Sequence, residues 1–344
     1  MSTDSQTVGV PVDPSPQLGS PALTPPRRRR AWSRYTLPAL LVIIVVFFSV
    51  APATSVSFPT SANIDAVIAS NAVLAVCAMA LLCPLIAGEF DLSVGANVGL
   101  ASIAVAALFS HGQSLVIALL GGIAVAMFVG AVNGFLVAKI GVSSFITTLG
   151  MTTVISGAVL AYTDGQSILD GIPSSMTSLS SEKFLGVPRV ATLVAIVALI
   201  VWYVLSFTPF GRSLRAVGSN ASAARLVGFN VRRVTFLSFV ISGLVAGIGG
   251  ALLVAQAGGA NPQAGPGYLL PAFAAVFLGA TVSRTSGFNV GGTVIAVLFV
   301  SVSVSGLVLA GVHPWVEQVF QGTVLILAVT ISTLTRKRTE GVPV

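Results

Sequence analysis

Side chains that could act as acids, bases, nucleophiles or metal ligands are few in this chain and do not cluster. The two histidines, His111 and His313, are far apart in sequence and have no partnered carboxylates. Cys77 and Cys83 share one apolar run, and their spacing places them on different faces of a helix, so they read as packing residues. We find no Ser-His-Asp, Cys-His or metal-ligand pattern. The sequence therefore predicts no catalytic residue, no metal site and no enzyme.

A phosphate-binding loop of the form G-x-x-x-x-G-K-[ST] is also missing from the sequence. The three lysines follow Ala138, Glu182 and Arg336, and none of them follows a glycine. The chain cannot cradle ATP phosphates by that route. We predict that it has no cofactor and that any ATP is bound by a partner.

The polar residues of the apolar runs are almost all neutral. An ionisable side chain at the bilayer centre costs at least about 2.5–3.5 kcal/mol, so those present mark functional positions. Neutral polar residues in these runs include Asn133, Thr152 and Ser242. Helix packing alone explains most residues of this kind. The candidates for a solute path or a gate are Glu89, Asp91 and Ser93 in the break Gly88–Ser93, and Asn71, Asn97, Thr147, Thr148 and Gln256 in the runs.

The elements that must position these residues are long apolar segments. Of the 344 residues, 55% are hydrophobic and 8% are charged, and the mean hydropathy is +0.97. A soluble domain carries about 25% charged residues, and a bilayer core is crossed by about 20 apolar residues in a helix. The runs are continuous rather than alternating, which excludes a β-barrel. We predict an all-α polytopic membrane protein with about ten transmembrane helices, at residues 36–57, 64–87, 93–110, 114–138, 144–163, 189–207, 234–256, 268–282, 290–310 and 315–334.

The net charge of +7 is distributed asymmetrically around these spans. With the N-terminus in the cytoplasm, 15 of the 17 Lys and Arg residues fall on the cytoplasmic side, and Lys183 and Arg189 are the exceptions. The positive-inside rule favours this topology, with both termini cytoplasmic. The basic charge therefore indicates membrane topology rather than nucleic-acid binding. The run Arg27–Arg30 before the first span also fits a secretory signal ending at Ala51-Pro52-Ala53, but a first membrane anchor is favoured because the rest of the chain is membrane-spanning.

Three regions lie outside the spans. We predict a disordered basic cytoplasmic tail at 1–34, a transmembrane domain at 35–335 and a cytoplasmic tail at 336–344. Within the domain, the loop 208–233 carries five arginines, and Asn220 caps a short helix over Ala221–Val227 that ends at Gly228. A docking helix for another protein and a simple topology anchor both fit this composition. The outer loop 164–188 has room for a short surface helix.

Several segments resemble one family of membrane proteins. Gly88–Gly95 reads GEFDLSVG and is similar to the family's GGIDLSVG; FITTLGM at 145–151 is similar to PFIATLGM. FGR at 210–212 followed by AARL and GFNV at 223–231, and ANPQAGPGY at 260–268, are similar to two later blocks of the family. In order, these blocks resemble the membrane permease subunits of bacterial ATP-binding-cassette importers for ribose, xylose and galactosides.

The resemblance implies a set of partners and a mechanism. Two permease subunits would form the path through the membrane lipid, two ATPase subunits would bind ATP, and a soluble solute-binding protein would deliver the solute from outside. The loop 208–233 would hold the coupling helix, which favours the docking interpretation, with Arg212, Ala223, Ala224, Arg225, Gly228 and Asn230 as the ATPase-coupling residues. ATP binding would move this helix and switch the cavity between outward and inward access. The localisation implied is the plasma or inner membrane.

The chain departs from the family pattern at two positions that bear on function. The family's Glu pair before Ala-Ala-Arg is Ala221-Ser222 here, and Leu-Asp in the family's GYELDAIAA is Leu270-Pro271. The solute is therefore predicted as a simple sugar or polyol without a named identity. The same architecture importing a branched-chain amino acid or a nucleoside is a close alternative, and a stand-alone channel or secondary carrier is a more distant one.

Overall fold

The computed structural model describes residues 30–184, 186–282 and 287–340. Within these ranges the chain is almost entirely helical. Most of the predicted tail 1–34 and the last residues of the predicted tail 336–344 lie outside the described residues. The α-helices are α1 Arg30–Val50, α2 Ser61–Ser70, α3 Ala72–Ala87, α4 Val94–Ser110, α5 Leu115–Phe135, α6 Ser144–Thr163, α7 Ser174–Ser181, α8 Arg189–Phe207, α9 Pro209–Ser219, α10 Ala221–Leu226, α11 Val231–Ala257, α12 Leu269–Ala280, α13 Val290–Leu309 and α14 Pro314–Glu340.

Six helical segments of the described chain are long and apolar enough to cross a bilayer. They are Leu115–Ile140, Ser144–Thr163, Arg189–Phe207, Val231–Ala257, Val290–Leu309 and Pro314–Ile331. A seventh is formed if α2 and α3, which meet at a 40° bend, count as one span. The remaining predicted spans coincide with the shorter apolar helices Tyr35–Val50, Val94–Ser110 and Gly265–Ala280. The fold is thus a polytopic helical membrane protein with six or seven full-length spans.

Helix α3 is the centre of the bundle. Every one of its residues is buried, including Cys77 and Cys83, which are free thiols packed on all sides. Helix α11 packs against α3, α4 and α5, and its contact with α5 is closest at two glycines. A Cβ on Gly130 would lie 2.3 Å from Phe239 O, and one on Gly243 would lie 2.4 Å from Ala126 O. Glycine at both positions lets the two backbones touch, which is how membrane helices gain packing energy.

The predicted spans differ from the observed helices in three places. The second span is broken at Asn71 rather than continuous over 64–87, because Asn71 ends α2 with a backbone that departs from helical geometry. Helix α1 begins at Arg30 and α14 extends to Glu340, so the helices reach into both predicted tails. The third and eighth predicted spans are shorter than a full-length span and consist of α4 and of a 3-10 turn at Gly265–Tyr268 followed by α12.

The two long loops are ordered by short elements. The loop 164–188 holds α7, whose Met176 is buried, and a two-stranded hairpin of β1 Lys183–Phe184 and β2 Val187–Pro188. An ion pair between Lys183 and Asp65 ties this hairpin to α2. The loop 208–233 holds two helices, α9 and α10, where the sequence predicted one.

Candidate functional site

The break between α3 and α4 is the first candidate site. Helix α3 ends at Gly88, whose φ of +86° is a left-handed conformation that glycine adopts without strain. The amides of Gly88 and Glu89 donate to Leu85 O and Pro84 O, which satisfies carbonyls at the end of α3. The chain then reverses over six residues and enters α4 at Val94. This turn presents Asp91 to the interior of the bundle.

The Asp91 carboxylate is 2% exposed and fully engaged. Its Oδ1 accepts hydrogen bonds from the Ser93 amide at 3.1 Å and from Ser93 Oγ at 2.6 Å. These two bonds form a local turn directly before α4, because an aspartate side chain readily accepts from the backbone amide two residues further on. The turn fixes the position of the carboxylate at the start of the helix.

Helix α11 binds the same carboxylate, and α5 binds its partner Ser93. Ser242 Oγ on α11 donates to Asp91 Oδ2 at 2.8 Å, and Asn133 Nδ2 on α5 donates to Ser93 Oγ at 2.8 Å. All four residues are buried. We call Asp91, Ser93, Asn133 and Ser242 the carboxylate network. Asn133 and Ser242 were predicted from the sequence as polar span residues but were not assigned to the site. A buried carboxylate needs hydrogen-bond donors from other spans, and this requirement could have pointed to them.

Helix α6 holds the backbone of the same break. Thr148 Oγ1 accepts from the Leu92 amide at 3.0 Å and donates to Ser144 O at 2.7 Å. The Phe90 amide donates to Ser144 Oγ at 3.2 Å, and Thr152 Oγ1 lies 3.0 Å from Leu92 O. The break is thus bonded to α5, α6 and α11 at once. If any of these helices shifts, the segment Gly88–Ser93 must move with it or its hydrogen bonds to that helix are lost.

The other path candidates lie outside the network. Glu89 is half-buried in the break, Asn71 is at the α2–α3 bend, and Gln256 Nε2 near the end of α11 donates to Ser70 O at 3.1 Å. Asn97 Nδ2 donates to Ala126 O at 3.0 Å. Buried acceptor atoms without a hydrogen-bond partner among the described residues are Asn97 Oδ1, Asn133 Oδ1, Thr147 Oγ1, Gln256 Oε1 and Ser301 Oγ. Unpaired buried groups of this kind are costly, so these five atoms are the ones in this region whose hydrogen bonding the described residues leave unsatisfied.

A cavity of about 210 Å³ lies between the α2–α3 bend, α8 and α13. Asn71 and Ser301 are its polar residues, and the others that line it are apolar, for example Ala75, Val194 and Val297. The path candidates are therefore not gathered into one pocket. The structure brings together Asp91, Ser93 and Thr148 and leaves Asn71, Asn97, Thr147 and Gln256 apart from them.

The loop 208–233 is the second candidate site. Thr208 Oγ1 accepts from the Gly211 amide at 3.3 Å and caps α9, which begins with Pro209 at the position where proline favours a helix start. Arg215 reaches back from α9 to Leu205 O at 2.7 Å and binds the end of α8. Asn220 Oδ1 accepts from the Ala223 amide at 2.9 Å, and Gly228 has a φ of +94°. The predicted cap and the predicted left-handed glycine of α10 are both present.

Most of the coupling residues predicted from the sequence lie on α10 or directly after it, and Arg212 lies on α9. Arg212, Ala223, Arg225, Gly228 and Asn230 are exposed, whereas Ala224 is buried and anchors α10 to the bundle. Leu226 and Val227 are 89% and 75% exposed at the tip. A cavity of about 440 Å³ beside them is lined by Arg225, Gly228, Phe229, Asn230, Val231 and Arg232. An apolar tip with a cationic rim is typical of a surface that binds another protein.

Within the described residues, no group of three or more His, Cys, Asp or Glu side chains is placed to hold a metal ion. The functional features are thus a buried hydrogen-bond network around the Asp91 carboxylate and an exposed basic loop. Together with the helical bundle, they define a multi-pass membrane protein.

Comparison with known proteins gives the family. Residues 63–329 match the family described as branched-chain amino acid transport system / permease component, and the chain belongs to it. The chain is 32% identical over 307 residues to the ribose import permease protein RbsC of Escherichia coli K12, covering 88% of this chain and 94% of that protein. It is 34% identical over 292 residues to RbsC of Bacillus subtilis 168, covering 85% and 90%.

A third relative carries a different sugar in its name. The chain is 30% identical over 308 residues to the D-allose transport system permease protein AlsC of Escherichia coli K12, covering 89% of this chain and 93% of that protein. No solved structure matches the chain. Family membership confirms the predicted kinship, the absence of an enzymatic activity in the permease class, and the location in the inner membrane as a multi-pass protein.

Proposed function

We propose that this chain is the transmembrane permease subunit of an ATP-binding-cassette importer and forms the path for a simple sugar of the ribose or xylose type, or for a polyol. The observation that carries the proposal is the similarity, over more than four fifths of the chain, to permeases named for ribose and D-allose. Apart from Asp91, the buried polar residues are neutral amides and hydroxyls. This supports the proposal, because a hydroxylated solute needs hydrogen-bond partners and no counter-ion.

The proposed topology has ten spans with both termini in the cytoplasm. The bent pair α2–α3 and the three shorter apolar helices supply the four spans beyond the six full-length ones. The exposed arginines of the loop 208–233 then lie in the cytoplasm, as the positive-inside rule favours. The hairpin at Lys183–Pro188 and α7 lie on the outer side, where a solute-binding protein docks.

The proposed partner of the loop 208–233 is an ATPase subunit, which binds ATP in place of this chain. Leu226 and Val227 supply an exposed apolar tip, and Arg225 and Arg232 flank the cavity beside it. Because Ala224 is buried against the bundle, a push on the tip is transmitted to α9 and α11. The proposed mechanism is alternating access, in which the ATPase pair moves α10 and the helices bonded to the break at Asp91 follow.

The proposed second permease subunit packs on the exposed face of α6. Phe145, Ile146, Leu149 and Val154 on this helix are 50–66% exposed. A Cβ added at Gly150 or Gly157 would meet no atom within 4 Å, so both glycines leave room for another helix. Small residues at such a spacing favour close helix association in lipid. Membrane lipid covers the remaining apolar surface, and nucleic acid is not a proposed partner.

The same machine importing a branched-chain amino acid is the second candidate, and the printed description of the family favours it. An amino acid carries a carboxylate and an ammonium group, which need charged or helix-terminal partners. The path candidates of this chain are mainly neutral amides and hydroxyls, which favours the sugar. Nucleoside import, a stand-alone channel and a secondary carrier are the remaining alternatives.

The test is to purify the tagged chain from its own host, to identify what co-purifies, and to measure the ATPase activity with single solutes. Recovery of an ATPase and a binding protein, with activity raised by one sugar, is the expected result. Stimulation by a branched-chain amino acid or a nucleoside instead would replace the substrate class. Solute flux in liposomes that contain only this chain, without ATP, would contradict the importer and leave a channel or a carrier.

A further inference from the structure

The chain between α11 and α12 enters the bundle without forming a helix. Helix α11 ends at Gly258, whose φ is +66°, and the next residues are pinned to the loop before α7. Ala260 and Ile168 exchange two backbone hydrogen bonds of 2.9 Å each. Asn261 then begins a turn in which its Oδ1 accepts from the Gln263 amide at 2.8 Å and its carbonyl accepts from the Ala264 amide at 3.2 Å.

The far end of this segment lies deep beside α4. A Cβ on Gly265 would lie 2.5 Å from Gly95 O and 2.6 Å from Gly99 Cα, so the two backbones touch. At 1.5 Å per helical residue, Gly99 lies about 17 Å along the axis of α4 from its last residue, Ser110. Gln263 is two residues from Gly265 and therefore at most about 7 Å away. Gln263 thus lies roughly 10 Å or more inside the end of α4.

Non-helical backbone at this depth is tolerated only where it is buried in protein or lines a water-filled cavity. Part of this segment is buried, at Ala260 and Gly265, but Asn261, Gln263, Pro266 and Gly267 are exposed. The backbone amide of Gln263 is bonded to Asn261 Oδ1, but its side-chain amide has no hydrogen-bond partner among the described residues. An amide facing hydrocarbon without a partner costs several kcal/mol, so this exposed face requires water.

We propose that residues 260–267 line the solute path and that the side-chain amides of Gln263 and Asn261 bind a neutral, polyhydroxylated solute. Gln263 offers two N–H donors and a carbonyl acceptor, the set that matches neighbouring hydroxyl groups. Asn261 uses its Oδ1 in its own turn and keeps its Nδ2 for the solute. The segment Gly258–Pro271 contains no charged residue, so the path has no fixed site for an ionic solute. The inference rests on the proposed function and assigns its contact residues.

The first test uses Gln263→Cys in the complete importer, in open membrane sheets so that both faces are reached. The probe is a hydrophilic, positively charged methanethiosulfonate. The native Cys77 and Cys83 are each 1% exposed and give little background. The matched control is Leu199→Cys on α8, because Leu199 is 61% exposed on an apolar helix face. The expected result is modification of Gln263→Cys but not of Leu199→Cys, slowed by the imported sugar.

The second test separates contact from access. In uptake assays, Gln263→Leu is expected to raise KM and lower kcat/KM about tenfold, the effect of one lost hydrogen bond of about 1.4 kcal/mol. Gln113→Leu, which changes an exposed glutamine in the α4–α5 turn, is the control and is expected to leave uptake unchanged. Both variants are expected to melt at the wild-type temperature.

Two outcomes would overturn the inference while sugar uptake by the wild-type importer remains intact. One is that Gln263→Cys is as unreactive as Leu199→Cys. The other is that it reacts at a rate independent of sugar and that Gln263→Leu transports normally. Failure of the proposed function has a separate signature, because the wild-type importer would then take up no sugar with ATP, whatever the reactivity of Gln263→Cys.

Discussion

Ser242 Oγ donates a hydrogen bond of 2.8 Å to Asp91 Oδ2 and joins two residues that are 151 positions apart in the chain. This bond connects the break before α4 to the middle of α11, the helix that follows the basic loop directly. Helix α11 is therefore continuous from the proposed ATPase-docking region to the carboxylate network. Movement of its basic end has a direct mechanical route to Asp91.

The first prediction concerns this bond. Asp91→Asn replaces one acceptor oxygen with a donor, so either Ser242 or Ser93 loses its acceptor, and we expect a loss of about 1–3 kcal/mol in the free energy of unfolding. Ser242→Ala removes the donor and leaves Oδ2 unpaired, with a loss in the same range. The measurement is thermal unfolding of the purified complex in detergent, together with ATP-driven uptake.

A double variant isolates the role of the pair. If the bond couples α11 to the break, the losses of Asp91→Asn and Ser242→Ala are less than additive, and each variant lowers uptake more than it lowers the amount of protein in the membrane. Additive losses with uptake in proportion to the amount of protein would show that Asp91 and Ser242 stabilise the fold independently and do not couple α11 to the break.

The second prediction concerns the basic loop. Gly228→Pro is incompatible with the φ of +94° at this position, and it distorts the turn after α10. Arg225→Glu reverses the charge on the rim of the cavity. Both variants are expected to insert normally and to lose the stimulation of ATPase activity by solute. Gly228→Asn is the control, because asparagine tolerates left-handed backbone and is expected to keep most of the coupling.

Normal solute-stimulated ATPase activity in both Gly228→Pro and Arg225→Glu would contradict the docking assignment. Loss of the protein from the membrane would instead assign the loop a role in insertion. Immunoblots of the membrane fraction distinguish the two results from loss of coupling.

Local sequence chemistry predicted the local structure well. Asn220 as a cap and Gly228 as a left-handed end define α10 within a few residues, because both act through their own backbone. The long apolar runs likewise located the six full-length spans. The bend at Asn71 was not predicted, since a single polar pair, Ser70-Asn71, within an apolar run is equally compatible with a continuous helix. It is stabilised by a contact from a distant part of the chain, the bond from Gln256 to Ser70 O.

The site was predicted less completely than the fold, for the same reason. Asp91 and Ser93 were identified as candidates, but their partners come from α5 and α11, and one sequence does not show which spans are adjacent. The segment at Asn261–Gly265 was also missed, although a signal for it existed. Gly95 and Gly99 form a G-x-x-x-G pair, which indicates a close backbone approach; the structure places Gly265 against it.

The third prediction tests that approach. In Gly265→Ala the new methyl group meets the backbone of Gly95 and Gly99 at 2.5–2.6 Å, and backbone atoms cannot move aside cheaply. We expect a loss of about 1–3 kcal/mol, the usual cost of overpacking. Gly267→Ala is the matched control, because a Cβ there meets nothing within 4 Å. Equal melting temperatures for the two variants would contradict the close contact.

The fourth prediction contrasts two adjacent buried threonines on α6. Thr148 Oγ1 binds the Leu92 amide, so Thr148→Val leaves a backbone donor unpaired and is expected to cost about 1–3 kcal/mol and to impair uptake. Thr147 Oγ1 is buried without a partner among the described residues, so Thr147→Val is expected to leave stability unchanged or to raise it slightly.

Uptake by Thr147→Val then decides whether Thr147 belongs to the path. If its unpaired hydroxyl meets the solute in another access state, KM for the imported sugar rises although the melting temperature does not fall. Thr153→Val, which changes an exposed threonine six residues further along α6, is the control for a hydroxyl lost outside the bundle. Normal uptake in Thr147→Val would remove Thr147 from the path candidates. A lower melting temperature in Thr147→Val than in Thr148→Val would contradict the hydrogen-bond assignment at both positions.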